Sequence, residues 1–306
     1  MDRALPVPLP AQSRWSDETI GMLQGLVGVA IFGLTFPGTR MAVEDLPPAF
    51  VALGRAVVAA FLAGAWLLCK RASWPPRSAW LPLALVAGGC IVGFPWLTSI
   101  ALQTVPASHG AVIVGILPLA TAVYSALRGN EKPSAGFWLF AVAGAALVAG
   151  FSLRQSGGSL HRDDLLIFVA VLLAAVGYAE GARLSRSMGG LEVISWALVL
   201  SAPLLAPLVL WLCWPLDAVL AAAGARAWLG FGYVALFSTY IGMYFWYSGM
   251  ARGGIARVGQ VQLVQPLFTL AGAWLILGEP FAPSNVLFAL AVIGVVAAGR
   301  TMQIKR

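Results

Sequence analysis

Gln262, Gln265 and Thr269 stand at spacings of three and four inside an apolar stretch, which puts three hydrogen-bonding side chains on one face of an α-helix. A polar stripe at that depth turns away from lipid. It can hydrogen-bond a polar substrate, or it can glue helices together. Gln260 falls on a different face and reads as structural. A second stripe, Tyr233, Phe237, Tyr240, Tyr244 and Tyr247, runs at spacings of four, three, four and three. It reads either as an aromatic, hydroxyl-bearing cavity wall or as ordinary core, since a buried tyrosine needs its hydroxyl satisfied. Glu180 precedes Arg183 by three residues in GYAEGARLSR. Its carboxylate can carry a coupled proton, act as a gate, or pair with an arginine that snorkels to the interface. Arg55, in FVALGRAVVAAFLAG, can attract a substrate carboxylate or pair with Glu44 or Asp45. His109 reads as an interfacial residue. HExxH, GxSxG and a lysine-bearing phosphate loop do not occur, and Cys69, Cys90 and Cys213 have neither metal-like spacing nor an argument for a disulfide. The chemistry on offer is recognition and proton exchange, not group transfer.

These residues ride on long apolar elements. Sixty per cent of the chain is hydrophobic and ten per cent charged, where a soluble chain carries roughly 25% charge. Apolar stretches fall at about 19–42, 48–69, 79–102, 107–127, 135–153, 164–185, 193–214, 227–250, 256–277 and 283–300. Each is close to the roughly 20 residues that cross the hydrocarbon core. An all-α integral membrane protein with ten transmembrane helices is expected. The tail 1–18 is polar and proline-bearing and lacks the order of a signal peptide.

One pattern occurs twice. Residues 115–133 read GILPLATAVYSALRGNEKP and residues 263–281 read LVQPLFTLAGAWLILGEPF, with five of nineteen positions identical at an offset of 148. Pro118 falls on Pro266 and Glu131 on Glu279. Each proline removes a backbone hydrogen bond and is read as a hinge, or as a static kink that helps packing. The same offset sets Trp96 opposite Tyr244, and Tyr124 and Tyr178 can join the same wall. Five helices in each half invert the second half relative to the first. Paired proline-interrupted helices in such an inverted repeat point to a site for solute passage. The expected units are a tail 1–18, a first five-helix repeat 19–153, a linker 154–163, a second repeat 164–300 and a tail 301–306.

Charge placement orients the chain. With the N-terminus inside, fourteen of the nineteen basic residues fall in inner segments and four in outer ones, with Arg55 within a helix. That bias puts both termini in the cytoplasm and the 154–163 linker in the periplasm. The net charge of +7 follows from it, and scattered basic residues without a basic domain argue against nucleic acid.

The chain resembles the drug/metabolite transporter superfamily, EamA type, over nearly all of residues 19–300. The resemblance rests on AIFGLTFPGTRMAVEDLPP at 30–48 with Arg40 in the basic place, on Arg55 early in the second helix, and on the two proline–glutamate helices. One departure is Asn130 before Glu131, where the family, like Gly278 before Glu279, has glycine. The resemblance implies a carrier in the bacterial inner membrane that exports amino acids or other small metabolites without ATP. Its midplane cavity is expected from the first, third, fourth, sixth, eighth and ninth helices. Trp96, Tyr124, Tyr178, Tyr240, Tyr244, Gln262 and Gln265 are expected on the substrate, Pro118 and Pro266 at hinges, and Glu180 and Arg55 in coupling or gating. The expected partners are a small-molecule substrate and the lipid bilayer, with a monomer as the working unit and no cofactor, metal or nucleic acid. The competing class is a polytopic enzyme acting on a lipid-linked substrate, which would need a catalytic constellation at one membrane face.

Overall fold

The first helix starts where Ser16 accepts a hydrogen bond from the Thr19 N–H at 3.2 Å and Asp17 and Glu18 fill the first turn. Both features suit the positive end of a helix dipole. In this computed structural model, which describes residues 16–128, 132–155, 161–254, 258–259, 261–301 and 304–305, the chain is almost wholly helical. Helix α1 covers Asp17–Ala42, α2 Phe50–Lys70, α3 Arg77–Ala101 and α4 Ala107–Arg128. Helix α5 covers Ala135–Gln155, α6 Arg162–Met188 and α7 Gly190–Leu212. A short helix, Leu216–Ala222, meets α8 (Ala225–Gly253) at a bend of 109°. Helices α9 (Gln262–Leu277) and α10 (Pro283–Thr301) follow. Two residues after α4, Lys132–Pro133 (β1), pair antiparallel with Ile304–Lys305 (β2).

Helices α1, α2, α3, α4, α6 and α7 are long and apolar enough to cross a membrane, and the bent pair ending in α8 adds a seventh segment. The apolar runs of α5, α9 and α10 are shorter. The structure therefore gives an all-helical membrane protein with six long spans plus these shorter and bent elements. Large apolar side chains such as Phe61, Leu68, Leu139, Leu204, Trp211 and Leu275 point outward, as a lipid-facing surface requires.

Without a hydrophobic drive between helices in lipid, close backbone approach has to hold them together. Glycines supply it between α1 and α8. A Cβ on Gly21 would lie 2.4 Å from the Gly253 nitrogen, and one on Gly249 would lie 2.8 Å from the Gly25 nitrogen. On the other side, a Cβ on Gly89 of α3 would lie 2.3 Å from the Leu173 carbonyl oxygen of α6. The main packed pairs are α1 with α8, α3 with α6, α2 with α7, α5 with α10, α4 with α9, α4 with α6 and α1 with α9. Adding five to both numbers, counted round ten, turns each of these pairs into another of them or into itself, while the contacts of α6 with α7 and α8 have no comparable counterpart at α1 with α2 and α3.

Several local backbone breaks also fall at matched places, although the π-helical segment Phe50–Gly54 that opens α2 maps onto 198–202 in the regular helix α7. Residues 87–93 in the middle of α3 and 233–242 in the middle of α8 are π-helical. At the offset of 148, 87–93 maps onto 235–241. Helix α4 is interrupted at Gly115–Ile116 and resumes at Leu117, with Pro118 second. Helix α9 opens with a 3-10 turn at Gln262–Val264 and resumes at Gln265, with Pro266 second. Each proline sits in the first turn of a resumed helix, where the N–H it lacks has no helical partner to lose.

Candidate functional site

The π-helical segments of α3 and α8 face one cavity between the helices, and a third π-helical segment, Phe50–Gly54 of α2, ends just before Arg55 on its wall. It is lined from α1 by Phe32, Thr35 and Phe36, from α2 by Arg55, from α3 by Cys90, Ile91 and Phe94, from α6 by Ala174 and Tyr178, from α7 by Ile194, from α8 by Ser238, Thr239 and Met243, and from α9 by Gln265. Cys90 and Ser238 correspond at the offset of 148, as do Ile91 and Thr239. The cavity is small, about 30 Å³, which is room for two or three waters. Widened helical turns present backbone and side chains that a regular α-helix would cover, and they often mark functional sites.

Several polar groups in and beside this cavity hold one another. Thr35 Oγ1 and Ser238 Oγ lie 2.8 Å apart, joining α1 to α8. Thr239 donates to the Val234 carbonyl five residues back at 2.7 Å, a contact the π geometry permits. Gln262 Nε2 reaches Gln265 Oε1 at 3.4 Å, and Thr269 donates to the Gln265 carbonyl at 3.2 Å. The ring of Tyr178 stacks on Phe32 with centroids 6.0 Å apart, and both meet Trp246.

Of the expected substrate residues, Tyr178 and Gln265 line the cavity, and Gln262 is buried beside Gln265. The others lie elsewhere. Tyr240 donates to or accepts from Ser195 of α7 at 3.0 Å. Tyr244 lines a separate pocket with Gln24, Trp66, Lys70 and Ser248 at one end of the bundle. Tyr247 is fully buried and donates to the Gly177 carbonyl at 3.0 Å, while Phe237 is exposed and stacked on Tyr233. The regular spacing of this stripe presumes 3.6 residues per turn, and the π-helical run through it spreads the rings around α8. Trp96 is half-buried against the core and outside the cavity. Tyr124 turns to Glu180 and to an apolar groove lined by α4, α5 and α6. The cavity thus takes Arg55 from α2, a nominated residue on a helix not expected to line it, takes Ile194 from α7, which was not nominated, and takes none from α4.

Glu180 is 1% exposed and accepts from Tyr124 at 2.8 Å, from Arg128 at 3.2 Å and from Arg183 at 3.4 Å. The pair with Arg183 is therefore one part of a cluster tying α4 to α6. Arg55 makes neither of the pairings open to it. Glu44 bonds Arg226 at 3.1 Å and Asp45 bonds the Gly224 N–H at 2.9 Å.

Sequence reasoning missed the opposite end. Glu279 accepts from the Ala107 and Ser108 N–H groups at 2.8 and 3.0 Å, capping α4 from the far half of the chain. His109, in the first turn of α4, is buried within the protein and bonded to Asp164 at 2.8 Å, and Asp163 accepts from Thr104 at 2.6 Å. A pocket of about 490 Å³ opens among these groups. The repeated glutamate was visible in the sequence, but its partner is backbone and leaves no residue signature. Glu131, its counterpart, and Gln260 lie outside the described residues.

The EamA-like transporter family matches residues 19–153 and again 162–298. The chain belongs to this family. It is 47% identical over 285 residues to an uncharacterized transporter, YdeK, of Bacillus subtilis (strain 168), covering 92% of this chain and 97% of that one. It is 29% identical over 280 residues to an S-adenosylmethionine/S-adenosylhomocysteine transporter of Chlamydia trachomatis serovar L2, covering 85% and 82%. A crystal structure of a protein 19% identical to it superposes with a TM-score of 0.63 over 91% of this chain and 95% of that one. The chain is thus a multi-pass membrane protein of a transporter family.

Proposed function

We propose that this EamA-family protein is a secondary transporter that moves a small polar or amphipathic metabolite, with amino-acid export as the leading case, by alternating access around the cavity between α3 and α8. In this reading all ten helices cross the bacterial inner membrane, both termini are cytoplasmic, and 19–153 and 164–300 form inverted repeats. The observation that carries it is the placing of matched π-helical segments, with Cys90 opposite Ser238, on a buried polar cavity built by helices of both halves. Two segments matched by one family and packing pairs that map onto themselves support the repeat. Side chains at one end of the bundle (Glu279, His109, Asp164) and at the other (Glu180, Arg128, Arg183) tie helices of the two halves together, and in this reading they are the two gates. With room for only two or three waters between them, the structure reads as a contracted state from which each mouth opens in turn. The relative named for S-adenosylmethionine handles a solute with an amino-acid end, which favours an amino-acid-like cargo here.

The test is counterflow in proteoliposomes holding the purified chain. Radiolabelled amino acids and S-adenosylmethionine are presented against the same unlabelled solute inside, with and without an imposed pH gradient. Accumulation above empty liposomes for at least one solute is expected. Uptake equal to empty liposomes across the panel would remove amino-acid transport.

A further inference from the structure

We propose that Arg55 is the anion-binding group of the central cavity, so that the carried solute presents a carboxylate to it while an apolar body fills the space between the phenyl rings. This rests on the transport reading and names the chemical class that the same site takes.

Arg55 is 3% exposed and lines the cavity. Its Nε and Nη1 atoms are buried and have no hydrogen-bond partner. It lies five residues into α2, about 8 Å from the start of that helix at 1.5 Å per residue. A guanidinium held at such depth without an acceptor is among the costliest groups a membrane protein can carry, so it points to a partner that comes and goes. Among the described residues, the acidic side chains that the sequence offered it are engaged elsewhere. Glu44 and Asp45 are engaged with Arg226 and Gly224. Among the described residues no Asp or Glu lines the cavity. Of its small hydroxyls, Thr35 bonds Ser238 and Thr239 donates to the Val234 carbonyl, and the Tyr178 hydroxyl carries no charge to balance a guanidinium.

Charge balance then specifies the occupant. The cavity offers one fixed positive charge and no negative one, so a solute with one anionic group fits it. A guanidinium presents parallel N–H donors in a fork that matches a carboxylate. The remaining walls are apolar and aromatic: Phe36 and Phe94 stack with centroids 6.1 Å apart, and Phe32 stacks on Tyr178. An amphipathic carboxylate, with its head on Arg55 and its side chain among these rings, uses both features. An α-ammonium group would find acceptors in the Thr35 and Ser238 hydroxyls and the Gln265 amide oxygen.

The test uses the full chain in detergent, with thermal stability and tryptophan fluorescence as binding readouts. Leucine, methionine and phenylalanine are each compared with their carboxamides, and phenylalanine also with 3-phenylpropionate and phenethylamine. At least one acid should bind, with its amide and the amine at least tenfold weaker. A hydrogen bond to a charged group sets the scale, so Arg55→Gln should weaken that acid about 10- to 150-fold and leave the amide unchanged. Arg55→Met should melt at or above the parent temperature while losing the acid, because it removes an unpaired buried charge that only the solute satisfies. An amide binding as tightly as its acid overturns the proposal, as does unchanged acid affinity in Arg55→Gln, or no response to any of the acids. Failure of the transport reading looks different: the acid binds through Arg55 but does not cross the proteoliposome membrane.

Discussion

Removing the Glu279 carboxylate should open the end of the bundle that it closes. Its two oxygens accept the Ala107 and Ser108 N–H groups at 2.8 and 3.0 Å. These are the first donors of α4, which have no helical acceptor of their own. Loss of a side-chain cap costs about 0.5–2 kcal/mol, and the carboxylate's interaction with the helix dipole adds about 0.3–1 kcal/mol. The residue is half-exposed, so the lower part of that combined range applies, about 1–2 kcal/mol. If the contact exists only while that mouth is shut, Glu279→Ala should shift the open population about 5- to 30-fold. Cys90 on the central cavity wall is a native reporter, once Cys69 and Cys213 are changed to serine. Its modification by a membrane-impermeant thiol reagent from the periplasmic face should accelerate by that factor in Glu279→Ala. Glu279→Gln, which keeps an acceptor but not the charge, should fall between. An unchanged labelling rate in folded Glu279→Ala would show that the cap is static and would refute the latch.

At the other end, Glu180→Gln should retain pH-gradient-driven accumulation in proportion to folded protein, because its carboxylate is engaged by Tyr124, Arg128 and Arg183; loss of accumulation with exchange intact would make it the coupling site instead. Gly21→Leu should destabilise the α1–α8 interface by about 1–3 kcal/mol, read as lost monodispersity and a lower melting temperature, because a Cβ there meets the Gly253 backbone at 2.4 Å. Pro118→Ala with Pro266→Ala should leave stability within about 1 kcal/mol, since both prolines occupy first turns, and should slow turnover; unchanged initial rates would reduce them to packing. A cytoplasmic reporter after Arg306 and a periplasmic one near Ser156 should both score positive, and a periplasmic C-terminus would remove the inverted repeat.

The helical fold was legible because its signal is additive: runs of apolar residues and sparse charge report burial in lipid whatever their neighbours. The repeat was legible in Pro118 and Pro266 because those prolines mark helix breaks directly. The site was legible only in part. Gln262 and Gln265 stood out as amides in an apolar helix, and Tyr178 and Arg55 as lone polar groups. Tyr240, Tyr244 and Trp96 drew attention through spacing or the offset, and no sequence pattern announced the π-helical turn that redirects the α8 stripe. Cys90, Thr35 and Ser238 were passed over because small polar side chains are ordinary glue in membrane helices. The 148 offset could have found them, since it sets Cys90 on Ser238.

That correspondence also bears on how the halves cooperate. A π-helical turn leaves backbone groups imperfectly satisfied, and converting it to α-helix rotates everything beyond it about the helix axis. Helices α3 and α8 carry such turns at equivalent levels, each against the cavity. Each is also packed through glycines on a helix of the opposite half, α3 on α6 and α8 on α1. In the alternating-access reading, a solute contacting Cys90 on one side and Ser238 on the other touches two like elements, and relief of one turn against retention of the other would give two related states of one chain. Two states of nearly equal energy related by the repeat are what alternating access requires, since a solute can bias such an equilibrium only by its differential contacts. Arg55, on α2 and beside both turns, has no counterpart at the offset, where residue 203 is Pro203 of α7. The π-helical turns on the cavity are thus shared by the two halves, while the proposed anion-binding charge, with the π-helical segment Phe50–Gly54 just before it, belongs to the first half alone.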